Sequence, residues 1–397
     1  MLSGHNIICF SSDWHQDPLS KHHIISRLAK HNKVLWINSI GMRKPTVTKN
    51  DLTKAFSKIK SFVKTRLEPM DKDFWVLNPL VFPFHGSRLF QSINNRWLLQ
   101  QIRICQKNLD LISPILWSFL PNAVGVFGKL GEKLSIYYIT DDFTKFTGHP
   151  SAAIERMEKE LLDRADLVIA SSRYLADIKR NEKSIYVVSH GVDHKHFSQA
   201  LKISADRYPT DIRNIKRPII GFYGEINDWL DLKMLAEVAA RRPQWSLVLI
   251  GRIAVEVGDI NYLTGLPNVH WLGRKEYSEL PFYCAAFDAA LIPMKINELT
   301  AGVNPLKLRE YLAAGLPVVS TPLPEVLPYG DVVRFARTTS EWISEIDKIL
   351  RQPKFRVSER LSRRVAGEDW EVKVEEISEI MKAALSGRRP LSSSTVS

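Results

Sequence analysis

The stretch Asn304–Thr321, NPLKLREYLAAGLPVVST, joins a short helix to a buried strand. Pro305 is pre-set for the first helical position and Asn304 for the N-cap before it, so the helix is predicted to open there with backbone N–H groups that lack an intrahelical acceptor. Such a helix end attracts phosphate. Lys307 and Glu310 share one helix face and place a cation and a hydrogen-bond acceptor near that end. Gly315 stops the helix, and Pro317 to Ser320 read as a short apolar strand. The same residues also suit an ordinary α/β hairpin in which Lys307 and Glu310 form a solvated pair.

On either side of this segment, short apolar runs alternate with amphipathic ones over nearly the whole chain, the signature of parallel α/β architecture. Strands are predicted in a first series at Ile7 to Phe10, Val34 to Ile37, Trp75 to Leu77, Ile115 to Ser118, Ser135 to Ile139, Leu167 to Ala170 and Ile185 to Val188. A second series starts at Ile219 and continues at Ser246 to Ile250, Val269 to Leu272, Ala289 to Ile292, Val318 to Ser320 and Val332 to Phe335. The polar, charge-rich segment 201–218 between them reads as an interdomain linker. Two Rossmann-like domains follow, residues 1–200 and 219–366. Within 367–386, Trp370 to Leu385 carries an apolar stripe at Val374, Ile377, Ile380, Met381 and Ala384 that needs a surface to cover. The Ser/Arg/Pro-rich tail 387–397 is expected to be disordered.

The 397 residues are too many for one ordinary core, and 45% hydrophobic with 25% charged residues is the composition of a globular protein. The most apolar window, Ile112 to Phe127, is broken by Pro114, Pro121 and Asn122 and falls short of a membrane span. The first apolar run is followed by Asp13, His15, Gln16 and Asp17, unlike a signal peptide, so the cytoplasm is the default. Three scattered cysteines, Cys9, Cys105 and Cys284, support neither a disulfide framework nor a metal site. The net charge of +12 favours polyanions in general, but no zinc-finger spacing, RNP-like pattern or long basic block points to nucleic acid.

In open α/β sheets ligands sit beyond the carboxyl ends of strands, so the loops there are the places to look. Asp141 and Asp142 end a strand where a carboxylate can accept the proton of an attacking hydroxyl. In the structural alternative, Asp142 caps the next turn and Asp141 pairs with a cation. His15, after the first strand, either touches an acceptor hydroxyl or faces solvent. Gly224, in GFYGE, lets backbone approach a phosphate. Leu52 to Leu67 places Leu52, Ala55, Phe56, Ile59, Phe62 and Val63 at helical spacing among Lys54, Lys58, Lys60, Lys64 and Arg66. A helix of this kind suits an anionic membrane surface or the cover of a sheet.

The pattern P-x-K-x-x-E-Y-L-A-A-G-x-P-V-V resembles the donor-binding segment of GT-B glycosyltransferases, in particular the bacterial family 4 type that builds surface polysaccharides. YYITDDF (Tyr137 to Phe143), HGVDHKHF (His190 to Phe197), GFYGEINDWLDLKMLAEVA (Gly221 to Ala239) and LGRKEYSELPFYCAAFDAALIP (Leu272 to Pro293) resemble those enzymes in the same order. The resemblance implies two Rossmann-like domains facing across a cleft, with the last helix crossing back to the first domain. It implies a nucleotide-sugar donor, held on the second domain, and a glycan acceptor, lipid-linked, reached from the inner face of the plasma membrane. No cofactor or metal is expected. By this resemblance Glu310 bonds the ribose, Lys307 meets the diphosphate, and Asp141, with Asp142 one position on, serves the acceptor.

Two departures stand out. Family members often carry Arg and Lys after the glycine turn, where this chain has Glu225, Asn227, Asp228 and Trp229. The extra charge then falls to Arg252, Arg274 and Lys275. The first of the paired glutamates of retaining members would fall at Gly302, so backbone N–H groups of Ala301 to Val303, next to Asn304, are candidates to hold the sugar. A nucleotide-sugar epimerase of the same architecture, or a noncatalytic nucleotide-sugar or glycan-binding protein, are the rival readings.

Overall fold

The computed structural model describes residues 1–39, 67–80, 88–180, 184–351, 354–388 and 395–396. The basic amphipathic segment Leu52 to Leu67 lies outside these, except for Leu67, which opens a strand. The chain divides into two compact units, one formed by Met1–Val188 with Val374–Ser397 and the other by Ser189–Lys373.

The first unit holds β1 (Asn6–Ser11), β2 (Lys33–Asn38), β3 (Leu67–Asp71), β4 (Phe74–Leu77), β5 (Ile115–Ser118), β6 (Leu134–Ile139), β7 (Leu167–Ala170) and β8 (Ile185–Val187). They line up as β8-β7-β6-β5-β1-β2-β4-β3, parallel except for β3. The parallel strands read as apolar runs because both faces are covered, and β5, β6 and β7 are buried throughout. β3 has no such pattern: LEPMD is polar, carries Pro69 and forms an exposed antiparallel edge, which a strand search based on apolar runs passes over.

The second unit holds β9 (Ile219–Tyr223), β10 (Ser246–Ile250), β11 (Val269–Trp271), β12 (Ala289–Ile292), β13 (Val318–Ser320) and β14 (Val333–Phe335). All are parallel, in the order β11-β10-β9-β12-β13-β14. The predicted linker is not one. The unit already starts at Ser189, and Phe197, Ala200 and Ile212 are buried in its core. Asp211, inside 201–218, accepts hydrogen bonds from Tyr283 at 3.0 Å and an ion pair from Lys275 at 2.6 Å. A few well-spaced apolar residues and one hydrogen-bonded, ion-paired acid anchor a segment whose composition is otherwise that of a tether.

The helix Trp370–Leu385 begins in the second unit, and from Val374 onward the chain belongs to the first. Val374, Ile377, Ile380 and Met381 are buried, and the amino group of Met1 pairs with Glu375. In the tail, Thr395–Val396 form β15, antiparallel on the edge strand β8, where unpaired backbone groups accept a partner regardless of side-chain composition.

In the second sheet, Gly221 of β9 packs against the ring of Phe287, and a Cβ there would lie 2.2 Å from it. Gly221→Ala is therefore expected to destabilise the protein by about 1–3 kcal/mol through overpacking. Urea unfolding measures this, and an unchanged midpoint would show that the ring moves aside freely.

Candidate functional site

β9 is flanked by β10 and β12, so chain connections leave it in opposite directions and its carboxyl end is a topological switch point. There Gly224 takes φ +125°, while Gly251, at the end of β10, takes φ +142°. A Cβ on Gly251 would lie 1.9 Å from the Gly224 carbonyl oxygen, so the two loops meet backbone to backbone. A Cβ on Gly224 would lie 2.9 Å from Cε of Lys307. The lysine stem thus lies on the glycine turn, with Nζ 5.4 Å from the centre of the Phe222 ring.

Lys307 belongs to the helix Leu306–Ala313, which ends in paired bonds from Gly315 N–H to Leu312 and Leu316 N–H to Tyr311. Its start departs from expectation by one residue. Pro305, not Asn304, is the N-cap, and no side chain caps the first turn. Asn304 is drawn away because its Oδ1 accepts from the buried Arg309 at 2.7 Å, while Arg309 also bonds Glu368 at 2.7 Å. The consequence is an open helix end, since the Leu306 and Lys307 amides have no intrahelical acceptor.

Glu310 is buried and accepts a hydrogen bond from the Tyr223 hydroxyl at 2.8 Å. The Tyr223 amide in turn donates to the Tyr311 hydroxyl at 2.9 Å. Burial pushes the Glu310 carboxyl up to about 7, against the opposing pull of the Tyr223 bond and the Lys307 ammonium. Burial also lowers Lys307, which Glu310 and Glu225 partly restore. Tyr223 has no signal in the sequence, because its partner lies 87 positions away.

The remaining donor-side candidates are differently placed. The amides of Ala301, Gly302 and Val303 are used locally, donating to Asn297, Leu299 and Thr300 at 3.0, 3.3 and 3.2 Å. A capping box between Asn297 and Thr300 fixes the short helix Glu298–Ala301, whose backbone carbonyls take these amides. Gly302 and Val303 are therefore not free backbone donors as expected. Arg252 is exposed and tied to Glu225 at 2.9 Å, and Arg274 pairs with Glu276 at 3.2 Å. Both cations carry a counter-charge, whereas Lys307 makes no contact ion pair with a described residue.

In the first unit, Asp142 is a structural acid. It is buried, caps Thr144 through N–H and hydroxyl bonds of 3.2 and 2.6 Å, and pairs with Lys179 at 3.0 Å. Burial opposes its charge, but Thr144 and Lys179 prevail and hold it below the usual carboxylate range. Asp141 lies in the opposite regime: burial raises it, with the Lys21 ammonium and the Thr140 hydroxyl acting against that rise. His15 lies at the surface, its Nε2 3.1 Å from Glu68. Among the described residues no three His, Cys, Asp or Glu side chains gather as a metal site, and no helix is long and apolar enough to cross a membrane.

Residues 217–352 match the profile of the family described as Glycosyl transferases group 1. The Bacillus subtilis protein TuaH, named as a teichuronic acid biosynthesis glycosyltransferase, is 32% identical over 229 residues, 55% of this chain. That match spans 57% of TuaH, little more than half its length. Among solved structures, Anabaena HepE in complex with UDP and glucose superposes with TM-score 0.68 at 14% identity, over 96% of this chain and 100% of HepE. A UDP-forming trehalose-phosphate synthase of Burkholderia xenovorans gives 0.66 at 12% identity, over 97% and 99%. Residues 217–352 are thus similar to a glycosyl transferase group 1 domain, and the chain shares the GT-B fold of these solved structures.

Proposed function

We propose that the chain is a glycosyltransferase that moves a sugar, a hexose in the first instance, from a nucleotide-sugar donor to a hydroxyl of a lipid-linked glycan in surface polysaccharide synthesis. The observation that carries this reading is Lys307, seated on the Gly224 turn beside an uncapped helix end, with buried Glu310 three residues further along the same helix. TuaH's name supports the polysaccharide, and the UDP in the HepE structure makes uridine diphosphate sugars the first donors to test. A membrane-attached acceptor would place the enzyme on the cytoplasmic face of the bilayer, which the basic balance of the chain favours.

In the reaction, the acceptor hydroxyl gives its proton to Asp141 as its oxygen bonds the anomeric carbon. The bond from that carbon to the diphosphate oxygen breaks, and the negative charge that develops on the departing diphosphate falls to Lys307 and the Leu306 and Lys307 amides. These groups are positioned before the reaction, which is where electrostatic stabilisation is most effective. They supply the charge without a metal, and Glu310 orients the ribose.

Lys307→Ala should lower turnover roughly 100-fold or more, as loss of one preorganised charge donor does in other enzymes. Transfer assays with and without EDTA read both this and the metal-free chemistry, and full activity of the variant would remove the assigned site. An acceptor-dependent loss of donor separates transfer from epimerisation, which needs donor alone, and from binding, which consumes nothing.

Glu310 gives a pH dependence of defined sign. Below about 7 its carboxyl is protonated and accepts poorly from ribose hydroxyls, so donor affinity should rise as pH rises through about 7. Because the folded protein keeps a proton that the unfolded chain releases, wild-type stability relative to Glu310→Gln should fall over the same interval above the ordinary carboxylate range. Calorimetric titration and melting between pH 5 and about 8 test both. A flat difference between the two proteins would place Glu310 outside the donor site. Asp141→Asn should reduce turnover by about 10²–10⁴ while leaving donor affinity intact, whereas an equal loss of affinity would make Asp141 structural.

A further inference from the structure

The first sheet has its own switch point, at β1, which lies between β2 and β5. Cys9 of β1 is the register partner of Trp117 of β5, so these two side chains stand on one face, and Ser11, two residues beyond Cys9, stands on it at the carboxyl end. The Ser11 hydroxyl and the Trp117 indole N–H are fully buried and meet no hydrogen-bond partner among the described residues. Lys21, on the helix Ser20–Ala29, is nine-tenths buried and makes neither a hydrogen bond nor a contact ion pair with a described residue. Its electrostatic neighbours are Asp141 and Cys9, so its ammonium is within electrostatic reach of this face. That helix has no side-chain cap from Leu19 and no acid in its first turn, so its amide end is positive too, and a lysine is the wrong charge for it.

Two buried donors without a hydrogen-bond partner on one face, with a buried lysine in electrostatic reach of that face, are more than chance orphans, since each costs free energy to leave unmet. Indole N–H and ammonium donate only, and a serine hydroxyl donates readily, so the group that completes them is rich in acceptors and negative. We propose that Ser11, Trp117 and Lys21 form a binding site for an anionic group, a carboxylate or a phosphate, carried by the acceptor. The inference rests on the transferase reading only in naming the acceptor as the carrier of that group. Asp141, an acceptor beside these donors, then faces the acceptor's hydroxyl while Lys21 holds its charge.

The test is calorimetric titration of the full chain in the Lys307→Ala background, so that anions at the donor end do not register. The probes are methyl glucuronoside, glucose 1-phosphate, inorganic phosphate and neutral methyl glucoside. At least one anionic sugar should bind tenfold or more tightly than methyl glucoside, and Lys21→Met should remove about tenfold or more of that preference. Preference for the glucuronoside identifies a uronate, and preference for glucose 1-phosphate or phosphate identifies a phosphorylated acceptor. Should Lys21→Met melt abnormally, Ser11→Ala, which deletes only an unmet hydroxyl, must weaken the anionic sugar without lowering the melting temperature. Equal binding of charged and neutral sugars, or Lys21-independent binding in a normally folded protein, would overturn the site. Lys21-dependent anion binding in a protein that transfers no sugar to any acceptor would keep the site and discard the transferase reading.

Discussion

The carboxyl end of β9 in the second unit depends on one steric constraint, the backbone-to-backbone approach of Gly224 and Gly251. A carbon atom on either residue would occupy space already filled, by a carbonyl oxygen in one case and by the Lys307 stem in the other. Without side chains at the ends of β9 and β10, the lysine can lie flat on the turn with its ammonium over Phe222. The helix that carries Lys307 also carries Glu310 and Tyr311, and both of these clasp Tyr223 at the end of β9. A glycine pair, one helix and one tyrosine therefore fix a cation, an acceptor and an open helix end relative to one another.

Both sheets place unusual polar groups where strand connections reverse direction. At β9 these are Lys307 and Glu310, and at β1 they are Ser11 and Lys21. Such groups are expensive elsewhere in a core, because a buried charge or hydroxyl must find a partner or lose free energy. At a carboxyl edge the strands end and backbone amides are not committed to a ladder, so a ligand can supply what the protein does not. The structural acids show the alternative. Asp142 and Glu158 are more deeply buried than Asp141, yet share Lys179, with Glu158 also taking the Tyr137 hydroxyl, and have no capacity left for a ligand.

Much of this was legible in the sequence, because the parallel strands announce themselves as apolar runs and β5, β7, β10, β12 and β13 fall at the predicted bounds. Lys307, Glu310 and Gly224 stood out as candidates for the same reason: helix spacing and glycine turns are local properties. What escaped the sequence was competition between side chains. Asn304 has every qualification for an N-cap, yet a buried guanidinium takes its oxygen. The amides of Gly302 and Val303 appear available until Asn297 and Thr300 close a helical turn over them. Tyr223 and Lys21 acquire meaning only from residues 87 and 120 positions away, Glu310 and Asp141. Lys21 did leave one trace, a cation in the wrong turn of its helix.

The chain lacks the Arg/Lys pair expected after the glycine turn, and the structure explains how the turn tolerates acids there instead. Glu225 is held by Arg252 at 2.9 Å and by Asn227 at 3.0 Å, so its carboxylate has partners within the loop. Glu225 still lies within electrostatic reach of Lys307 and, with Glu310, favours the charged lysine against the cost of its burial. An ammonium with two carboxyls at a distance and no contact ion pair among the described residues is uncommitted. In the proposed reaction a diphosphate beside it would gain a full charge without having to break an existing ion pair. Two exposed basic residues would have attracted the same ligand from further away, but more of their field would be lost to solvent and salt. One sheltered lysine on a rigid turn is therefore the cation on which the proposed donor site would rely.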